Sequence, residues 1–120
     1  MKTVLVVDDY ASVRFYHMTL LRNAGYSPLA APGGTEALAV LEKQNVDLMM
    51  LDLVMPTMNG REVVERVRAM PRYRSLPILV ITSEAEQVGL GNIMSDPSCR
   101  VMGKPILPLV LLQEIQRCVG

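Results

Sequence analysis

The sequence predicts an α/β protein whose sheet is mostly parallel and covered by helices on both faces. Three observations support this prediction: short apolar runs alternate with segments of helical spacing, several runs end at polar residues, and 50% of the 120 residues are apolar. Continuous apolar runs are typical of parallel strands buried on both faces, and the helices between them supply the crossovers. We therefore expect five strands and five helices in a single domain, residues 1–120.

Five apolar runs predict the strands, and in chain order they cover residues 4–7, 26–31, 47–51, 79–81 and 99–102. The first and third runs end in acids, and the fourth ends in hydroxyl residues. Pro28 in the weaker second run favours an edge position, because proline cannot donate to a sheet ladder. The runs therefore indicate buried central strands whose polar groups collect at one end.

Apolar residues spaced three and four apart predict the helices, which cover residues 13–24, 37–41, 63–70, 84–94 and 108–119. Gly25 supplies a stop for the first of them. The fourth is the weakest, because Gly89 and Gly91 each cost it about 1 kcal/mol relative to alanine. Pro108 lies near the first turn of the last helix, where its missing N–H is harmless.

Charge and composition exclude several classes of protein. Lys and Arg number 12, as do Asp and Glu, so the formal net charge is zero, which argues against direct binding to nucleic acid or a membrane surface. No apolar run approaches the roughly 20 residues of a membrane span, and we expect no secretory signal, because the first apolar run meets Asp8 and Asp9 too early for one. Cys99, Cys118 and a single histidine, His17, lack the spacing of a zinc site. We expect a reduced, cytoplasmic protein in which His17, on the stripe of the first helix, is packed or tucked against the surface and is not catalytic.

Polar side chains follow four of the predicted strands. Asp8 and Asp9 come after the first, Asp52 after the third, Thr82 after the fourth and Lys104 after the fifth. The carboxyl ends of parallel strands meet at one edge of the sheet, where ligands of such folds bind. Clustered carboxylates repel one another unless a cation joins them, and a donor set made only of oxygen favours Mg²⁺.

This predicted cluster has the parts needed for phosphoryl transfer. Asp52 is the candidate nucleophile, because it lies centrally, and Asp8 and Asp9 would hold the metal with the backbone carbonyl of Val54. Lys104 and a hydroxyl would hold the remaining phosphoryl oxygens. Any one of these residues alone is better explained as a helix cap or a turn residue, and Asp8 could support the site without touching the metal. The prediction therefore depends on the ordered set.

The ordered set resembles the receiver domain of two-component response regulators, of the chemotaxis-regulator type. The matching residues are Asp8-Asp9, Asp52 followed by Leu53-Val54-Met55-Pro56, Asn59-Gly60, Thr82 and Lys104-Pro105. The resemblance covers essentially the whole chain, including the spacing of 22 between Thr82 and Lys104. It implies a doubly wound, five-stranded, flavodoxin-like fold with strand order 2-1-3-4-5.

The resemblance also implies a chemistry. Asp52 would accept a phosphoryl group from the phosphohistidine of a sensor histidine kinase or a phosphotransfer protein. Mg²⁺ would be bound by Asp9, Asp52 and the Val54 carbonyl with help from Asp8. Lys104 would pair with the phosphoryl group.

The signal would then pass to the surface of the protein. Thr82 would move to bind the phosphoryl group, and the surface of the last two helices would change for a downstream protein partner or output domain. A cis bond between Lys104 and Pro105 is also implied. Such a domain is a switch and not a turnover enzyme, and we expect no output domain within residues 1–120.

Several positions depart from the family pattern. Val101 occupies the position of the usual aromatic residue, so the aromatic half of the switch is in question. Val54 and Glu84 occupy the two positions that govern access of water to the acyl phosphate. Valine cannot orient a water molecule, so we hypothesise slow self-dephosphorylation. Ser83 and Glu84 are expected to be solvated loop residues.

Two other functions stay open. The first is a protein-binding module that keeps the fold and needs no phosphorylation, which Val101 and the glycine-broken fourth helix favour. The second, with less support, is a small hydrolase or nucleotide binder on the same sheet. The apolar run over 106–112 is either a fully covered helix start or a face for a partner or a homodimer.

Overall fold

Five parallel strands form one sheet in the order β2-β1-β3-β4-β5, in a computed structural model that describes residues 1–56, 58–83, 93 and 95–119. The strands are β1 (Thr3–Val7), β2 (Ser27–Ala31), β3 (Leu48–Asp52), β4 (Ile78–Thr82) and β5 (Cys99–Gly103). The predicted order and direction are confirmed, and β2 lies at an edge as Pro28 indicated. Observed and predicted strand ends differ by one residue at most places, and β3 starts after Asp47.

Helices cover both faces of this sheet. They are α1 (Ala11–Asn23), α2 (Gly34–Lys43), α3 (Gly60–Arg68), a short 3₁₀ turn (Pro71–Tyr73) and the C-terminal helix (Pro108–Val119). The predicted helix over 84–94, with Glu84, Gly89 and Gly91, falls almost wholly outside the described residues. Helix α3 ends two residues before the predicted end, and the chain then enters the 3₁₀ turn, where Pro71 is the first residue.

The core lies in two layers, because successive side chains of a strand point to opposite faces. In β1, Leu5 and Val7 pack in the layer that α2 and α3 cover, whereas Val4 and Val6 pack in the layer that α1 and the C-terminal helix cover. These four side chains are buried, as are all residues of β3 and β4. The central strands therefore place their carboxyl ends rigidly.

Local sequence sets where α1 ends. Gly25 has φ of 94°, a left-handed conformation that favours glycine, and its amide donates to the Arg22 carbonyl at 3.1 Å. The Tyr26 amide donates to the Leu21 carbonyl at 3.0 Å. These two bonds form a Schellman motif, which turns the chain directly into β2.

Asn59 and Gly60 set the start of α3, as their place in the sequence suggested. The Asn59 side chain accepts a hydrogen bond from the Glu62 amide at 3.0 Å, which caps the helix. A Cβ on Gly60 would lie 2.8 Å from the Cα of Leu53. Only glycine therefore lets α3 begin so close to the segment that follows Asp52.

Candidate functional site

The candidate site lies at the carboxyl edge of the sheet, where β1 and β3 are neighbours. Helix α1, which follows β1, covers one face of the sheet, whereas α2, which precedes β3, covers the other. The strand order therefore reverses between β1 and β3, and ligands of open α/β sheets bind at such a switch point. Asp8 and Asp9 follow β1, Asp52 is the last residue of β3, and Lys104 follows β5. The topology thus brings together the residues that the sequence predicted.

Asp8, Asp9 and Asp52 form a compact acidic cluster. One carboxylate oxygen from each lies within 4.8 Å of the others. Asp8 and Asp52 are only 5% and 6% exposed, and Asp9 is half-buried. Three carboxylates this close and this sheltered from water repel one another strongly, so the arrangement costs free energy unless positive charge joins it.

Asp9 gives a second indication of a cation. Its Oδ1 is buried and has no hydrogen-bond partner within the described part of the chain. A buried carboxylate oxygen without a donor is unusual, because leaving it unsatisfied costs about 1–3 kcal/mol or more. The cluster offers only oxygen ligands, so its chemistry fits a hard divalent cation such as Mg²⁺.

Asp52 is held from two sides. Its Oδ2 lies 3.6 Å from the Lys104 ammonium, and its Oδ1 accepts a hydrogen bond from the Val54 amide at 3.2 Å. Burial raises the pKa of the Asp52 carboxyl, and the charges on Asp8 and Asp9 raise it further, although Lys104 and the Val54 amide oppose the shift. A carboxylate with a raised pKa is a better base and a better nucleophile when ionised.

Asp8 also serves the fold. Its Oδ1 accepts a hydrogen bond from the Tyr10 amide at 2.9 Å, and its carbonyl accepts one from the Arg14 guanidinium at 2.7 Å. These contacts shape the turn into α1, which is the structural role that an aspartate after a strand often has. Asp8 therefore combines the turn role with membership of the acidic cluster.

A cavity of about 390 Å³ opens over the cluster. Its lining includes Asp9, Tyr10, Asp52, Val54, Met55, Pro56, Thr82, Ser83 and Lys104. Ser83 is exposed, as expected, but it lines this cavity. Sequence reasoning missed Tyr10, whose side chain is 63% exposed, because an aromatic residue after an acidic pair carries no signal of its own.

Thr82 and Lys104 close the far side of the cavity. Thr82 is 1% exposed, and its carbonyl accepts a hydrogen bond from the Lys104 amide at 3.0 Å. The Lys104–Pro105 peptide bond is cis, as the resemblance implied. The predicted residues Thr82 and Lys104 therefore line the same cavity and are also connected by a backbone hydrogen bond.

His17 lies behind the cluster. It lines a small cavity together with Asp8 and Asp52, and its imidazole is half-buried. Burial lowers the pKa of His17, with Asp8 raising it and Lys104 lowering it. The apolar stripe of α1 predicted a packed histidine but not one placed against two acids, since the position of β3 beside β1 is not visible in the sequence.

Two other predicted features lie towards β5. Val101 packs against the core layer that α2 and α3 cover, which is an ordinary place for valine. In the apolar run over 106–112, Leu107 and Leu109 are 69% and 72% exposed, whereas Leu111 is 1% exposed. A fully covered helix start is therefore wrong for this run.

In the described part of the chain, no helix is long and apolar enough to cross a membrane.

Comparisons with known proteins identify the family of this chain. The family model described as "Response regulator receiver domain" matches residues 4–116. This chain belongs to the response regulator receiver domain family. The family is that of two-component signalling proteins, which act as switches and are phosphoacceptors.

Relatives support the same conclusion along the whole length of this receiver domain. The chemotaxis protein CheY of Pseudomonas aeruginosa is 35% identical over 118 residues, which cover 95% of this chain and 93% of that protein. The crystal structure of CheY4 of Vibrio cholerae at low pH is 36% identical with a TM-score of 0.91, covering 98% of both chains. The receiver domain of histidine kinase PA1611 from Pseudomonas aeruginosa is 25% identical with a TM-score of 0.89, covering 99% and 98%, and its structure has magnesium in the active-site cleft.

Proposed function

We propose that this receiver domain, as one domain of residues 1–120, is a cytoplasmic switch that accepts a phosphoryl group on Asp52. One observation carries the proposal: Asp52 lies between the carboxylates of Asp8 and Asp9, within 4.8 Å, and the Lys104 ammonium, at 3.6 Å. An anionic group can approach a carboxylate only where positive charge offsets the repulsion: the Lys104 ammonium supplies it on one side, and a cation held by the acids would supply it on the other.

The residues of the cluster would divide the work. Asp8, Asp9, Asp52 and the Val54 carbonyl would hold Mg²⁺, a role supported by the unsatisfied Oδ1 of Asp9. When bound, Mg²⁺ supplies positive charge that offsets the charge on the transferred oxygens. Its use here is also supported by the magnesium in the PA1611 receiver domain.

Transfer itself would use the ionised carboxylate of Asp52. A carboxylate oxygen of Asp52 attacks phosphorus and forms the new P–O bond, while the bond from phosphorus to the donor's histidine nitrogen breaks and its electron pair stays on that nitrogen. Lys104 would pair with the arriving oxygens, and the Thr82 hydroxyl would turn to bind one of them. The domain would be a switch and not a turnover enzyme, because the phosphoryl group stays on Asp52 until it is slowly lost.

The donor would be a sensor histidine kinase or a phosphotransfer protein. The readout would be a downstream partner or output domain that contacts the surface near the C-terminal helix, where Leu107 and Leu109 are exposed, and a homodimer is a further use of that face. Charge added at Asp52 and followed by Thr82 would alter this surface.

Phosphorylation with acetyl phosphate tests the proposal. We expect the mass of the protein to rise by one phosphoryl group with Mg²⁺ and not with EDTA, and Asp52→Asn to abolish the rise. Asp47→Asn is the matched control, because Asp47 precedes the same strand at its other end and accepts a hydrogen bond from the Thr3 amide. Unchanged labelling of Asp52→Asn would contradict the proposal.

Val54 bears on how long the phosphoryl group lasts. Its side chain is 59% exposed in the lining of the cavity and cannot orient a water molecule. We therefore expect slow loss of the phosphoryl group, and Val54→Asn to accelerate it by about tenfold through an added hydrogen-bonding group. Following the labelled protein over time by mass spectrometry checks this, and equal decay of the two proteins would contradict it.

A protein-binding module that needs no phosphorylation is the second candidate. Val101 favours it, because a valine packed on the core layer has no ring to bury or expose when Thr82 moves. Absence of Mg²⁺-dependent labelling on Asp52, in protein that is folded, would favour this candidate over the switch.

A further inference from the structure

His17 is placed where a helix residue facing a sheet is usually apolar. Its imidazole lines a small cavity behind the acidic cluster, between α1 and the carboxyl ends of β1 and β3. The cavity walls described in the structure are apolar strand side chains apart from Asp8, Asp52 and His17. Burying an imidazole among apolar groups costs free energy unless it has a hydrogen-bond partner, so we expect His17 to have one.

The size of the cavity suggests what that partner is. Its volume is about 10 Å³, which is close to the smallest space that holds one water molecule. A buried water needs two to four polar partners, and the lining residues Asp8, Asp52 and His17 carry two carboxylates and an imidazole between them. An imidazole has an N–H donor in either protonation state, so His17 can serve such a water at any pH.

We infer that His17 is a positioning residue of the metal site, which steadies the carboxylates of Asp8 and Asp52 from behind through one internal water. The inference rests on the proposed function, because those carboxylates matter only if they hold a cation. The Asp8 carboxylate already accepts from the Tyr10 amide, and the Asp52 carboxylate from the Val54 amide. A second donor behind each would fix its rotation.

Hydrogen bonds that hold the metal-binding carboxylates in place should change the metal affinity by a measurable amount. Outer partners of metal ligands commonly account for 10–100-fold in metal binding, because they hold the ligand in the orientation that the metal requires. A purely packed histidine would instead contribute to folding stability alone. Metal affinity of the unphosphorylated protein therefore separates the two roles.

Mn²⁺ binding, followed by the loss of its free electron paramagnetic resonance signal, tests the inference without any phosphorylation. We expect His17→Leu to raise the Kd for Mn²⁺ by about tenfold. His17→Gln keeps a hydrogen-bond donor, so we expect its Kd to lie close to that of the wild type. The control is Phe15→Leu, which alters another side chain of the same helix, 71% exposed, and should bind as the wild type does.

The outcomes distinguish the inference from the proposed function. If the wild type itself fails to bind Mn²⁺, the metal site is wrong and the inference is wrong with it. If the wild type and folded His17→Leu bind equally, His17 only packs and the metal site stands. Should His17→Leu fail to fold, His17→Val replaces it. A high-resolution crystal structure that shows no water within hydrogen-bond reach of His17 would also overturn the inference.

Discussion

Asp52 and Asp96 lie at opposite ends of the sheet, and the fold treats the two acids in opposite ways. Asp52 ends β3 beside two other carboxylates, and burial raises its pKa. Asp96 precedes β5, where its Oδ2 lies 2.7 Å from Nε of Arg68, with both side chains 17% exposed. Burial alone would raise the pKa of Asp96, but hydrogen bonds from Arg68 and the Ser98 amide outweigh it and lower that pKa.

The difference shows that acids at the amino end of the sheet stabilise the fold, whereas acids at the carboxyl end form the candidate site. At the amino end, Asp96 and Asp47 each have a donor: Arg68 for one and the Thr3 amide, at 2.7 Å, for the other. At the carboxyl end, three carboxylates are gathered against one ammonium, that of Lys104, and a buried oxygen of Asp9 has no donor within the described residues. Strain of this kind persists where it serves a function, which here we propose to be binding of a cation and a phosphoryl group.

Lys104 gives the largest expected effect at the carboxyl end. It is the cation nearest Asp52, at 3.6 Å, so Lys104→Met should slow phosphoryl uptake from acetyl phosphate by about a hundredfold. The measurement is the initial rate of mass increase with saturating Mg²⁺.

Arg100→Met is the matched control for that experiment. Arg100 is also a cation of the β5 region, but it pairs with Glu114 at 3.2 Å, away from the acidic cluster. We expect its uptake rate to equal that of the wild type. Equal slowing in the two variants would show that general charge, and not the place of Lys104 beside Asp52, sets the rate.

Asp96 gives the next effect, on stability. Asp96→Asn should lower the free energy of unfolding at neutral pH by about 2 kcal/mol, because it leaves a mostly buried guanidinium without its charged partner. Since the folded pKa of Asp96 lies below its ordinary value, its contribution is present above that value and is lost as the pH falls through the folded pKa. Urea unfolding at several pH values measures both effects. A variant as stable as the wild type at neutral pH would contradict this role.

The sequence predicted the carboxyl end far better than the connections behind it. Acids, a hydroxyl and an amine at the ends of apolar runs were enough to bring Asp8, Asp9, Asp52, Thr82 and Lys104 to one edge, because parallel strands must share that edge. Strand order came only from the resemblance, since no local pattern says which strands are neighbours. The contact of Arg68 with Asp96, 28 residues further along, could not be predicted for the same reason.

His17 shows the same limit inside the site. The helical spacing of α1 put it on the apolar stripe of that helix, but its neighbours belong to β1 and β3, and their side-by-side position is a property of the sheet. Val101 is the reverse case, because the resemblance marked it as a departure and the structure simply packs it against the core. Local pattern thus predicts faces and edges, whereas contacts across the sheet require its topology.

Asp52 gives the smallest effect and the clearest test of the comparison, because its sign should be opposite to that of Asp96. Asp52→Asn removes one of three clustered charges, so we expect it to raise the thermal midpoint at neutral pH, by on the order of a few degrees. The folded chain binds a proton at Asp52 more tightly than the unfolded chain does, so wild-type stability falls as the pH rises from the ordinary Asp pKa through the raised value. The advantage of the variant should therefore shrink as the pH is lowered.

Adding Mg²⁺ at neutral pH should stabilise the wild type and leave Asp52→Asn nearly unchanged, since only the wild type keeps all three ligands. A variant less stable than the wild type in the absence of metal would mean that the pairing of Asp52 with Lys104 outweighs the repulsion among the acids, and the two ends of the sheet would then be alike.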